Sequence, residues 1–169
     1  MLEPTGKLNA LLRVHCLADD HFTIDVDEGC GAAALARLNK FKIRVKCEFE
    51  LTSQHVVAAR GLDAEARTAA LAQPGAVGAW REAEGAVDIF DAANGLAVTD
   101  DTTAPLADLA TYHAERVRCA WPIFGIDIDG DTIPAETSLV DVCVSFTKGC
   151  YPGQELVERM DSRGSTAPR

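Results

Sequence analysis

The chain has 169 residues, 47% of them hydrophobic and 25% charged, which is enough to bury one good core or two small lobes. Its formal net charge is −10, which argues against broad, sequence-independent nucleic-acid binding because that needs a basic surface to displace counterions. No apolar run approaches the ~20 residues of a membrane-spanning helix, and Met1-Leu2-Glu3-Pro4-Thr5-Gly6 lacks the basic-then-apolar layout of a secretory signal. The expectation is a cytoplasmic protein with no direct nucleic-acid or membrane partner.

Leu8 to Leu17 is mainly apolar and reads as a strand, and the alternating Phe22-Thr23-Ile24-Asp25-Val26 as a second, with Asp20-His21 in the turn between them. Ala32 to Leu38, rich in Ala and Leu, predicts a helix. Lys40, Lys42, Arg44 and Lys46 alternate with Phe41, Ile43 and Val45. They could form a local basic patch, but their expected role is the solvent face of a strand. Val45 to Leu51 alternates as a strand, and His55 to Ala59 is its expected partner across Thr52-Ser53-Gln54.

Ala64 to Leu71 predicts a helix that Pro74-Gly75 ends. Val77 to Trp80 and Ala86 to Phe90 read as short strands around Glu82-Ala83-Glu84-Gly85, and Leu106 to Arg118 as a helix terminated by Pro122. Ile123 to Pro134, rich in Gly and Asp, reads as loop or irregular strand. It is no calcium loop, because Ser138 stands where the twelfth-position glutamate belongs. Strands and helices mix without strict βα alternation, so the expected class is α+β. Two lobes, 1–75 and 76–169, are a possible division. Both ends of the chain read as cut.

The six cysteines, Cys16, Cys30, Cys47, Cys119, Cys143 and Cys150, include no C-x-x-C pair, so local spacing supports no zinc or iron–sulfur site. Reduced thiols are expected, with Cys47, Cys119 and Cys143 packing as small hydrophobes. His15, His21, His55 and His113 show no catalytic or metal-ligand spacing.

The richest stretch is Lys148-Gly149-Cys150-Tyr151-Pro152-Gly153-Gln154-Glu155. Leu156, Val157 and Met160 after it predict a short amphipathic helix with Pro152 at its first position. Cys150 would then precede a helix N-terminus, where free N–H groups and the dipole favour a thiolate, and Lys148 would act in the same sense. Such a thiol could be a nucleophile, a redox group or a transient iron or cluster ligand. Gly149 and Gly153 are read as serving the backbone. Tyr151 is open to packing or ligand contact, and Gln154 to helix capping or function. Glu155 suits the first helical turn.

The octapeptide resembles the K-G-C-[FY]-x-G-Q-E signature of the YgfZ family of folate-binding proteins, related to the aminomethyltransferase (T-protein) of glycine cleavage. Further segments resemble that family in order: Gly6-Lys7-Leu8, Phe41 to Lys46, Glu115 to Arg118 with Pro122 and Gly125 to Ile128, Ile133 to Glu136, Val144-Ser145-Phe146, and Arg163-Gly164. The resemblance implies a T-protein-like folate-binding domain with mixed or antiparallel sheets, flanking helices and a ferredoxin-like subdomain, here truncated at both ends. It implies tetrahydrofolate as cofactor, iron–sulfur enzymes or assembly proteins as partners, and a supporting role in cluster assembly or repair that reaches tRNA modification indirectly.

An accessory protein acting through Cys150 with Lys148 is the expectation, rather than a classical enzyme. The alternative is a folate-dependent aminomethyltransferase, whose relatives carry K-G-D-F-x-G-x-E without the cysteine. Tyr151, Gln154, Glu155, Asp88 and Arg118 are the folate-binding candidates. Asp88 loosely matches the strand acid that holds the pterin in T-proteins, and its plainer reading is an exposed strand aspartate. Arg118 and Glu115 have the plainer reading of a helix-end salt bridge.

Overall fold

The structure is a computed structural model, and it describes residues 1–80, 85–91 and 107–162. The expected turn at Glu82-Ala83-Glu84, the helical Leu106 and the Arg163-Gly164 segment lie outside the described residues. The chain divides into two compact units, Met1–Leu51 with Pro122–Arg169, and Thr52–Trp121. The 75/76 boundary drawn from sequence falls inside the second of these.

The first unit opens with β1 (Leu12–Ala18) and β2 (His21–Val26), an antiparallel hairpin. Its register pairs Arg13 with Asp25 and breaks at a bulge between Cys16 and Ala18. Arg13 and His15 both reach the Asp25 carboxylate across the strands, at 2.8 and 2.6 Å. α1 (Gly31–Phe41) follows and extends the predicted helix by one residue at its start and three at its end. The later part of this unit holds a 3-10 turn (Pro134–Glu136) and α4 (Val140–Cys143). It also holds α5 (Gln154–Ser162), whose Val157 is buried. Leu8, Ala10, Ala34, Ile128 and Leu139 are also buried there.

In the second unit, β3 (His55–Ala59), β4 (Ala76–Gly78) and β5 (Val87–Asp91) form an antiparallel sheet in the order β3-β5-β4. α2 (Ala64–Leu71) and α3 (Leu109–Arg118) are each N-capped by an aspartate that accepts a backbone N–H, Asp63 from Ala66 and Asp108 from Thr111. Ala120, in the left-handed region at φ 51°, ends α3 before Pro122 is reached. Trp80, Ala79 and Ala86 form a core that Tyr112, Cys119 and Trp121 pack against.

The small antiparallel sheets and the interspersed helices bear out the α+β class. One predicted strand is absent: Val45–Leu51 makes no ladder, and β3 pairs with β5 instead. Arg44 takes up the left-handed region at φ 63° and turns the chain just before that segment. The basic residues therefore do not form a strand face. Lys40 lies in the last turn of α1, and Lys42, Arg44 and Lys46 follow in irregular chain whose Ile43 and Val45 are exposed rather than buried. None of the six cysteines is in a disulfide; Cys143 is exposed, contrary to its expected packing, whereas Cys47 and Cys119 are partly buried.

Candidate functional site

The octapeptide lies in the first unit as a turn leading into α5. The helix begins at Gln154, so Pro152 sits in the turn ahead of it and not at the first helical position. Cys150 thus lies four residues ahead of the helix start where two were expected, and it is exposed. The dipole argument for a thiolate weakens accordingly, because that field is felt within the first turn only.

Gln154 does what a cap does. Its side-chain oxygen accepts the Tyr151 N–H at 3.3 Å, and its own N–H donates to the Tyr151 carbonyl at 3.3 Å. Its side-chain nitrogen donates to Glu158 at 2.6 Å. Glu155 pairs with Arg159 one turn along the helix. Gly153 has φ 84° and comes so close to the N-terminal stretch that a Cβ would meet the Glu3 carbonyl oxygen at 2.6 Å. Gly149 meets no such limit, since a Cβ there would have nothing within 4 Å.

Lys148 and Tyr151 act together. The Lys148 ammonium stands 4.5 Å from the Tyr151 ring centroid. Tyr151 is half-buried, its hydroxyl is buried without a hydrogen-bond partner, and burial, with the Glu158 carboxylate second, raises its phenol above the ordinary range.

Beside this turn lies a cavity of about 270 Å³. Lys148, Tyr151 and Pro152 line one side, and Cys143 to Ser145 continue that wall. Leu8 and Ala10, then Arg37, Leu38 and Phe41 of α1, line another, with Ile128, Pro134 and Leu139. Cys150, Gln154 and Glu155 are not among its lining residues. Arg37 is committed already, donating to Glu3 at 2.6 Å and to the Leu2 carbonyl at 2.6 Å. The wall residues from α1 and Cys143 went unpredicted. Only the apolar stripe of α1 hinted at them, because the partners it packs with are remote in sequence.

Asp88 and Arg118 belong to the second unit. Asp88 is buried, which corrects its reading as an exposed strand aspartate. Its carboxylate accepts from Arg60 at 2.7 Å, and the Arg60 guanidinium lies 3.8 Å from the Trp80 ring centroid. Arg118 pairs with Glu115 at the end of α3, as the plainer reading had it. That contact is the main cause of both the lowered Glu115 carboxyl and the raised Arg118 guanidinium. No group of side chains among the described residues is arranged to hold a metal ion.

The fold and the turn define an α+β chain that presents a lysine–tyrosine pair and an adjoining thiol beside an apolar cavity. Comparison with known proteins points the same way: the chain is similar to proteins of the YgfZ type. It is 27% identical over 170 residues to the tRNA-modifying protein YgfZ of Vibrio vulnificus (strain CMCP6), covering 94% of this chain and 52% of that one. An uncharacterized protein of Haemophilus influenzae is 23% identical over 168 residues, covering 96% of this chain and 54% of its own. The mouse mitochondrial iron–sulfur cluster assembly factor IBA57 is 44% identical over 61 residues, covering 35% of this chain and 17% of that one. The chain spans about half the length of the first two of these relatives. No family model and no solved structure matches it.

Proposed function

We propose that this chain is the tetrahydrofolate-binding part of an accessory protein that supports iron–sulfur cluster assembly or repair and, through cluster enzymes, tRNA modification. The names carried by the YgfZ and IBA57 relatives support the iron–sulfur and tRNA side of this reading. The observation that carries the folate side is the cavity bordered by Lys148, Tyr151 and Pro152 of the signature turn.

The residues there suit part of a folate. Aliphatic and aromatic walls fit a flat ring, and the Tyr151 hydroxyl is a buried polar group with no partner of its own. Tetrahydrofolate, when bound, would supply one-carbon or reducing chemistry. This chain's own part is to bind it through Tyr151 and Lys148 and to offer the exposed Cys150 thiol next to them. Gln154 holds the turn in shape, and Glu155 braces the first turns of α5 through Arg159. Asp88 and Arg118 are engaged by Arg60 and Glu115, so a folate role for either requires those ion pairs to open. The β-α-β-β-α order of the second unit is compatible with a ferredoxin-like subdomain of a T-protein-like domain.

Calorimetric titration of tetrahydrofolate into the chain should give saturable binding at one site, and absence of heat would overturn the folate reading. For the thiol, cells depleted of the protein should recover cluster-dependent enzyme activity with the wild-type chain and not with Cys150→Ala. Equal recovery with both would remove Cys150 from the proposal.

A further inference from the structure

We propose that the cavity takes the aromatic-carboxylate end of its ligand, with the Lys148 ammonium as the partner of the carboxylate. This rests on the folate reading: in a folate that end is p-aminobenzoylglutamate, and the pterin lies outside the cavity.

The lining decides which end is favoured. A pterin edge presents amide-like donors and acceptors side by side, and its donors need a carboxylate or amide oxygen in an apolar pocket. Among the described lining residues there is no Asp, Glu, Asn or Gln. Of the hydroxyl groups on the wall, the Tyr151 hydroxyl has no partner, and the Thr137 and Ser145 hydroxyls are engaged. Thr137 donates to the Pro134 carbonyl at 2.8 Å and accepts the Leu139 N–H at 3.1 Å, and Ser145 accepts the Lys148 N–H at 3.2 Å. A pterin entering here would find only the Tyr151 hydroxyl as an unengaged hydroxyl acceptor on the wall, too few for its several donors.

A benzoyl ring asks only for apolar contact, which Leu8, Leu38, Phe41 and Leu139 supply. A carboxylate asks for a cation. Of the three on the wall, the Met1 ammonium donates to the Ala10 carbonyl at 2.7 Å and Arg37 already holds Glu3, while Lys148 makes no ion pair among the described residues. Its exposed ammonium rests on the Tyr151 ring, which keeps it at the wall instead of out in water. A cavity of about 270 Å³ is at the lower end of the size of ligand sites, suited to one ring system and not to a whole folate.

The test titrates three probes, 4-aminobenzoyl-L-glutamate, 6-hydroxymethylpterin and tetrahydrofolate, into the wild-type chain, Lys148→Gln and Lys148→Arg. Circular dichroism would verify that the variants, altered at an exposed residue, keep the fold. 4-Aminobenzoyl-L-glutamate should bind the wild type and bind Lys148→Gln about tenfold more weakly, as expected for one charge-assisted hydrogen bond. Lys148→Arg should recover most of the loss, and 6-hydroxymethylpterin should not displace the bound fragment. Equal affinity in Lys148→Gln, or displacement by the pterin, would overturn the inference. Tetrahydrofolate binding with a silent 4-aminobenzoyl-L-glutamate would sink the inference and spare the folate reading. Lys148-dependent binding of the fragment without tetrahydrofolate binding would do the reverse, and silence of all three probes would remove both.

Discussion

Gly153 fixes the signature turn to the rest of its unit. Its φ of 84° is costly for any residue with a Cβ, and the added carbon would press on backbone, the Glu3 carbonyl oxygen and the Gly6 Cα at 2.9 Å. Gly6 answers it across the same contact: it has φ 82°, and a Cβ there would strike the Leu156 side chain of α5 at 2.5 Å. Two glycines thus let the N-terminal stretch and the start of α5 approach within backbone contact. Gly153→Ala should destabilise the chain by about 2 kcal/mol, combining left-handed strain with a clash that backbone cannot relieve cheaply. Gly149→Ala, in open space, should be nearly neutral. Urea unfolding followed by far-UV circular dichroism measures both, and similar midpoints for the two variants would refute this account of Gly153.

Helix extents were legible from sequence in part, although the Asp108 cap that starts α3 at Leu109 went unread. α2 was predicted at its observed bounds, and α3 ends where it was expected to, each beginning beside a capping aspartate. β3 was legible too, but not its partner, since β5 pairs with it across a long stretch of intervening chain. Val45–Leu51 misled because alternation marks a strand only where another strand completes its ladder. The start of α5 was misplaced because Pro152 serves a turn as readily as a first helical position, and Gly153 at positive φ settles it as a turn. Asp108 lends itself to a measurement. Its side-chain contact with Thr111, and then the Thr111 backbone N–H, hold its carboxyl below the ordinary aspartate range. A lowered folded-state value means the stabilisation is full above the unfolded value and is lost as pH falls through the folded one. Asp108→Asn keeps an acceptor for the cap without the titration. Between about pH 5 and pH 2, its thermal midpoint should therefore fall less steeply than that of the wild type. Parallel curves would show that Asp108 contributes nothing to the acid limb.

At the scale of the whole molecule, the first unit is assembled from two separated runs of sequence and the second from one. That is why the signature residues could be read and the cavity could not: its walls join α1 to a turn from the far end of the chain, and no local pattern records such a meeting. The second unit carries a different commitment, a nearly buried ion pair. Arg60 and Asp88 have side-chain exposures of 12% and 9%, and the guanidinium also donates to the Ala59 and Val87 carbonyls and stacks on Trp80. Removing one member of such a pair leaves the other's charge without its partner in a poorly solvated site, so Asp88→Ala should cost about 3 kcal/mol. The backbone carbonyls keep Arg60 from being wholly uncompensated, which argues against a larger loss. Both tryptophans of the chain, Trp80 and Trp121, lie in this unit, so their emission reports on it directly. The tryptophan-detected urea midpoint should fall in Asp88→Ala. The Arg60→Met, Asp88→Leu double variant should regain much of the loss, because it removes both charges together. If the double variant lost as much as the two single changes combined, the pair would be uncoupled, and the buried Asp88 would need another reason for being there.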